Sequence, residues 1–127
     1  TPVEKELKDM TVALATAAGV HQIDQERFNL AGDFTWRKID DKCPSDKLMV
    51  SHGGYDNSDV NKDINCMFPI DRLHELVAEG FIKATAPYHA GFMGGGGNQE
   101  KFKHETGPAV AAMLKEEGVD AAILTAG

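Results

Sequence analysis

Two short apolar runs constrain this chain more than anything else in it. Residues 10–20, "MTVALATAAGV", and residues 119–124, "VDAAIL" preceded by Gly118 and followed by "TAG", are dense in aliphatic side chains and end near a glycine. Runs of this length, mostly apolar, read as strands buried in a sheet. Helix is the rival for the Ala-rich first run. The charged lead-in over residues 4–9 and the stop at Gly19 favour a strand there. Between two such strands the chain must carry the connections of an α/β fold.

The stretches between them supply those connections. Residues 21–33 are polar and predict a loop with room for a short helix, and "FTWRKID", residues 34–40, alternates aromatic and polar like an edge or half-exposed strand. Residues 46–52, "DKLMVSH", predict a third strand, and a long loop rich in Gly, Asn and Asp follows. Pro69 opens a helix on which Ile70, Leu73, Leu76 and Val77 recur at helical spacing, with Gly80 as its stop. A fourth strand is predicted around residues 83–87. Residues 99–117 read as helical with a break at Gly107-Pro108, and Gly118 caps them before the last strand. The order β, β, β, α, β, α, β predicts a Rossmann-like open sheet, mainly parallel, with flanking helices.

Length and charge narrow the partners. One hundred and twenty-seven residues suffice for a single domain and one core, so residues 1–127 are read as one unit. A net charge of -7 offers no basic patch to neutralise phosphates, which argues against nucleic acid. Cys43 and Cys66 form no CxxC pair, and with no membrane-length apolar run they read as free thiols of a reducing cytoplasm. Cys66, in "INCMF", is expected in the core rather than in chemistry.

In open α/β sheets ligands bind outside the carboxyl ends of the strands. After the first predicted strand comes His21. After the third come His52, Tyr55 and Asp56. After the fourth come His89 and the segment Gly94, Gly95, Gly96 and Gly97. His52 and His89 are the candidate proton donors, since imidazole titrates near neutral pH, although either could merely close a turn or sit satisfied in the core. His21 is a weaker candidate. Asp56 reads as a third catalytic candidate or a turn former. The glycines would let backbone N–H groups hold a carboxylate, though they match neither phosphate-binding glycine signature, and a mobile loop is the plain alternative. Asp59, Asn61 and Asp63 imitate a calcium loop, but Ile64 and Ile70 stand where Gly and Glu are needed, so no metal is expected.

The stretches "VSHGGYDNSDVNKDINCMFPIDRLHELVAEGFI" and "APYHAGFMGGGG" carry a resemblance. They are similar to the selenoprotein subunits of the glycine, sarcosine, betaine and D-proline reductases, and most of all to the D-proline-reducing branch. The resemblance runs essentially the whole length from Thr1. It implies a selenocysteine immediately after the "ILTAG" strand end, that is, directly after Gly127. A UGA codon read as stop, or a chosen domain boundary, would leave the chain ending there and its sheet incomplete. Self-association through an uncovered apolar edge is then expected.

The same resemblance implies the chemistry. The family cleaves a Cα–N bond reductively, which for D-proline opens the ring to 5-aminovalerate. A partner subunit bearing a pyruvoyl group is implied to bind the substrate nitrogen, the selenolate to attack Cα, and a nearby thiol to help release product. This chain would supply the wall around the nucleophile, with His52, His89 and Asp56 as acid–base candidates and Tyr55, Gly94, Gly95 and Gly96 against the substrate. Without the selenium it is expected to be inactive and to carry no cofactor itself. Two other classes stay open: a nucleotide- or anion-binding module at the glycines, and a structural subunit whose site lies elsewhere.

Overall fold

A computed structural model describes residues 2–95 and 97–127. Its centre is β1, Thr11–Thr16, with five of six residues buried. On one side β1 pairs in parallel with β7, Ala121–Thr125, from Val12 opposite Ala121 to Thr16 opposite Thr125. On the other side it pairs in parallel first with β5, Ala84–Thr85, and then with β6, Tyr88–Phe92. At the far edge β3, Trp36–Asp40, runs antiparallel to β6. The fold is therefore mixed α/β around a mainly parallel sheet, as the two apolar runs predict.

β5 and β6 are one strand interrupted. Val12 faces Thr85 while Ala15 faces Ala90, so five steps along one strand match three along β1. Pro87 lies in the interruption, where it has no N–H to donate. The sequence predicts one strand around 83–87 with His89 beyond its end; the longer half of the strand instead begins at Tyr88, and His89 lies inside it.

Two helices cover opposite faces. α1, Ile70–Ala78, buries Ile70 and Leu73 in a cluster with Val12, Leu14 and Phe68. Asp71 lies in its first turn, and Gly80 at φ +76 follows it in the left-handed region that glycine tolerates. On the face of Ala15 and Ala90, α3, Gly107–Glu116, buries Val110 and Met113. The predicted break before α3 does not occur. A π-helical segment, Phe102–Thr106, joins α2, Gln99–Lys101, to α3 without interruption. Pro108 has no N–H to continue an α-helical ladder, and the widened turn absorbs it by sending the Gly107 N–H to the Phe102 carbonyl.

The predicted strand at 46–52 exists but joins a different sheet. β4, Leu48–Val50, pairs antiparallel with β2, Val20–Gln22, in a separate ribbon, so the expected polar loop at 21–33 begins as a strand. The ribbon crosses so close to β6 that a Cβ on Gly91 would collide with the Val20 carbonyl. His21 is buried in this ribbon; its Nδ1–H donates to the Gln22 carbonyl at 2.8 Å and its Nε2 accepts from the Ser51 hydroxyl at 2.8 Å.

Burial, aided by Arg37 and Arg27, lowers the His21 pKa from its ordinary 6.5 despite the bond to Gln22. The unfolded chain therefore binds a proton at a higher pH than the folded one does. Stability is full above the unfolded value and falls as pH drops from there toward the lowered folded value. Urea midpoints are expected to decline between pH 7 and 5, and less steeply for His21→Gln. Parallel pH profiles for the two proteins would remove His21 as the cause.

Candidate functional site

The carboxyl ends of β1, β6 and β7 meet at one knot of backbone. The Ala17 N–H donates to the Thr125 carbonyl at 2.9 Å, Gly94 N–H to Ala17 at 3.0 Å, and Gly19 N–H to Phe92 at 3.0 Å. Gly19 turns here at φ +78, where a Cβ would collide with the Ser51 carbonyl. The turns after three parallel strands are thus held at fixed mutual positions, and the loop after β4 is tied to them through Ser51 N–H and the Gly19 carbonyl, 2.9 Å apart.

That loop brings His52 and Tyr55 onto the knot. The Tyr55 hydroxyl donates to the Ala18 carbonyl at 2.9 Å, and its ring lies 4.8 Å from the His52 ring, centre to centre. Burial raises the Tyr55 pKa, so the phenol stays a donor. Gly127 lies against the same ring, so closely that a Cβ there would collide with it. His52 Nδ1 accepts the Gly54 N–H at 2.9 Å, which leaves Nε2 as the ring nitrogen free for other partners. A Cβ on Gly95 would touch the His52 ring at 3.6 Å. A shallow cavity of about 240 Å³ opens between Leu30, Ala31, His52, Gly53, Gly54, Met93 and Gly95. Across Met93 and Gly94 lies a larger cleft of about 480 Å³, rimmed by Asp33, Glu100 and Lys103.

The structure thus gathers His52, Tyr55, Gly94 and Gly95 around the end of β7. Gly96 lies outside the described residues. Asp56 is exposed and accepts the Ser58 N–H at 3.0 Å; that bond lowers its pKa, and the side chain shapes a turn. The anion-cradle reading loses a donor, because the Gly94 N–H is already bonded to the Ala17 carbonyl. Cys66 is exposed, against expectation. It closes a 3₁₀ turn, Ile64–Cys66, that buries Ile64 instead, and the Thr125 hydroxyl donates to the next carbonyl, that of Met67.

His89 is not at this edge. Its side chain is 0% exposed and fills the gap in the β1 ladder left by the interrupted strand: Nδ1 accepts the Leu14 N–H at 2.9 Å, and Nε2–H donates to Asp41 at 2.8 Å. Both ring nitrogens are committed, with Phe68 edge-on at 5.7 Å. Asp41, which sequence reasoning missed, also accepts from His74 at 2.9 Å and Thr85 at 2.8 Å. Burial alone would raise its carboxyl pKa, but the bonds from His89, His74 and Thr85 outweigh it and hold the pKa below the ordinary value. No local pattern marks such an acceptor, whose donors are 33 to 48 residues away.

His89→Ala would leave the Leu14 N–H unpaired, take a donor from Asp41 and open a void beside Phe68. It is expected to cost about 2–4 kcal/mol of stability. Denaturant unfolding at pH 7 measures this, and a loss within experimental error would show that the ladder closes without the ring.

Among the described residues no group of His, Cys, Asp and Glu side chains is placed to hold a metal, and no helix is long and apolar enough to cross a membrane. The family model described as glycine/sarcosine/betaine reductase selenoprotein B matches residues 1–127. Over its whole length the chain is 68% identical to D-proline reductase subunit gamma of Acetoanaerobium sticklandii and covers 52% of that protein. It is 35% identical to glycine reductase complex component B subunit gamma of Carboxydothermus hydrogenoformans, with 98% of the chain and 29% of the relative covered. It is 32% identical to sarcosine reductase complex component B subunit beta of Peptoclostridium acidaminophilum, again over 98% and 29%. The chain therefore spans about half of the first relative and under a third of the others. No solved structure matches it. Matched by the family model from its first residue to its last, the chain belongs to the glycine/sarcosine/betaine reductase selenoprotein B family.

Proposed function

We propose that this chain is part of the selenoprotein subunit of a D-proline reductase, and that selenocysteine follows Gly127 directly. The observation that carries the proposal is the contact of Gly127 with Tyr55, which stacks beside His52. The next residue along the chain starts about 3.8 Å from the Gly127 Cα. A side chain there begins within reach of the only half-exposed imidazole at this edge among the described residues. The 68% identity to D-proline reductase subunit gamma favours D-proline over glycine, sarcosine or betaine as substrate.

The fit is physical as well as sequential. The glycine lets the backbone lie flush on the Tyr55 ring, and the ladder from Val12 to Thr16 holds β7 in register up to Thr125. The chain passes from β1 to β5 and β6 on one side and then to β7 on the other, with α1 and α3 on opposite faces. That order supports reading the sheet as doubly wound and Rossmann-like, with a ligand crevice where the strand order reverses.

Selenocysteine would supply a soft nucleophile ionised at neutral pH, and a pyruvoyl group on a partner subunit an electron sink at the substrate nitrogen. The residues of this chain do the rest. Ring opening breaks the Cα–N bond, adds two electrons and two protons, and leaves hydrogen on Cα and an amine on the nitrogen. His52 Nε2 is placed to deliver a proton, with Nδ1 held by Gly54 N–H. Leu30, Ala31 and Met93 wall the cavity beside His52. Asp56 remains the weakest of the proposed acids, and His89 is proposed to act through the sheet rather than on substrate. A cytoplasmic location accords with free thiols and a dithiol reductant.

The test is direct. The codon after that of Gly127 is expected to be UGA with an open frame beyond it. The complete subunit, with its pyruvoyl partner and a dithiol, is expected to convert D-proline to 5-aminovalerate. Turnover of glycine, sarcosine or betaine in place of D-proline would move the chain to another branch, and a sense codon for any other residue would remove the selenol.

A further inference from the structure

β7 is an edge strand with the sequence of an interior one. Ala121, Ala122, Ile123 and Leu124 are apolar in succession, so both faces call for cover. Its register with β1 puts Ile123 beside Leu14, on the face of α1 and Phe68, and Leu124 beside Ala15, on the face of α3. Yet Ile123 is 41% exposed and Leu124 75%. Among the described strands only β1 pairs with β7, so its outer N–H and C=O groups form a free ladder.

The opposite edge shows what a true edge looks like. β3 carries Arg37, Lys38 and Asp40 in five residues, charges that discourage pairing with another strand. β7 carries no charge, no proline and no bulge. Beside it a groove of about 360 Å³ runs between α3 and β7, lined by Ala111, Leu114, Lys115, Val119, Asp120, Ala121 and Ala122. On the groove side of α3 Ala111 is exposed and small, which lets another backbone approach closely.

We propose that the free edge of β7 is the seat of a further parallel strand, supplied by the part of the complete subunit that lies outside this chain, with a helix of the same segment in the groove over Leu124. The length is available: D-proline reductase subunit gamma is about twice as long as this chain. The direction follows from β7 itself, because strands apolar on both faces belong to parallel sheets whose crossovers are helices. A second copy of this chain related by a two-fold axis would pair β7 antiparallel with itself. Two five-residue strands meeting at their edges bury far less than the roughly 1,600 Å² of a standard stable interface. With the added strand, β7 becomes interior, and the end carrying Gly127 lies on the floor of a crevice rather than at its rim. This holds whichever nucleophile follows Gly127.

Hydrogen exchange on the complete subunit tests the pairing. All amides of residues 121–125 are expected to be protected, on both sides of the strand, at concentrations where light scattering shows a single protomer. Leu124→Lys in the same protein is expected to lower the unfolding midpoint, because its side chain would then be covered. Fast exchange of the outward amides overturns the proposal, as does protection that vanishes on dilution to the protomer, which would assign the edge to a second copy. A Leu124→Lys subunit as stable as the parent would place no helix in the groove. None of these readouts depends on D-proline turnover.

Discussion

The 127-residue chain, mixed with a pyruvoyl-bearing partner subunit, a dithiol and D-proline, is expected to form no 5-aminovalerate. The electron count decides this. Opening the ring takes two electrons at Cα, and His52, Tyr55 and Asp56 can move protons but cannot supply electrons. Among the described residues the exposed Cys66 is the thiol beside the end of β7, one residue from the carbonyl that Thr125 bonds. The added dithiol could close a disulfide on that sulfur, but Cys66 does not line the cavity of His52, Gly54 and Gly95 over which ring opening is proposed. Cys43, the other free cysteine, is in the turn after β3 with its Sγ toward the Pro44 carbonyl, and burial raises its pKa. Mass spectrometry of the product over hours at high enzyme concentration is the measurement. Product above the no-enzyme control would falsify the placement of the reductant beyond Gly127. If Cys66→Ala abolished such product, the role would pass to that thiol.

The same contrast shows what the residues alone reveal. Residues 10–20 name their strand because burial on both faces demands an aliphatic run. Residues 119–124 carry the same pattern although β7 lies exposed at an edge. Pro69 with Gly80 brackets α1 because both act through local backbone geometry. Those signals are local and so are legible. β2 is not, since three residues carry no period and pair only because β4 returns beside them. The continuous helix through Gly107-Pro108 was hidden for a similar reason: a proline predicts a break unless a π turn removes the clash. Cys66 defies expectation because "INCMF" is apolar in composition, while the 3₁₀ turn sends Ile64 and Phe68 inward, leaves Met67 half-buried and turns Cys66 to the outside. At the candidate site, His52, Tyr55 and Gly95 were legible as residues following predicted strands. His89 had the same signal and a different position. Pro87 interrupts its strand, and the imidazole is consumed in repairing the ladder.

In the complete subunit, His52→Asn is expected to lower kcat for D-proline by about 10²- to 10⁴-fold, the range of a positioned proton donor, while KM and the unfolding midpoint change little. Asparagine is the informative choice. Its side-chain oxygen can occupy the place of Nδ1 and keep the Gly54 N–H bond, 2.9 Å in the parent, so the turn at Gly53 and Gly54 survives. What disappears is the outer ring nitrogen, the one free to exchange a proton with a substrate lying over Gly95 and Met93. A turn-closing histidine would show the opposite pattern, with kcat within a few-fold of the parent. The pH profile separates the two further: a proton donated by His52 gives kcat an alkaline limb, which His52→Asn flattens. His89→Ala makes the reciprocal comparison, because a buried ring with both nitrogens bonded affects turnover only through the sheet it repairs. Its loss of activity should follow its loss of folded protein and leave the pH profile of the remainder unchanged. An alkaline limb lost in His89→Ala and kept in His52→Asn would exchange the two roles.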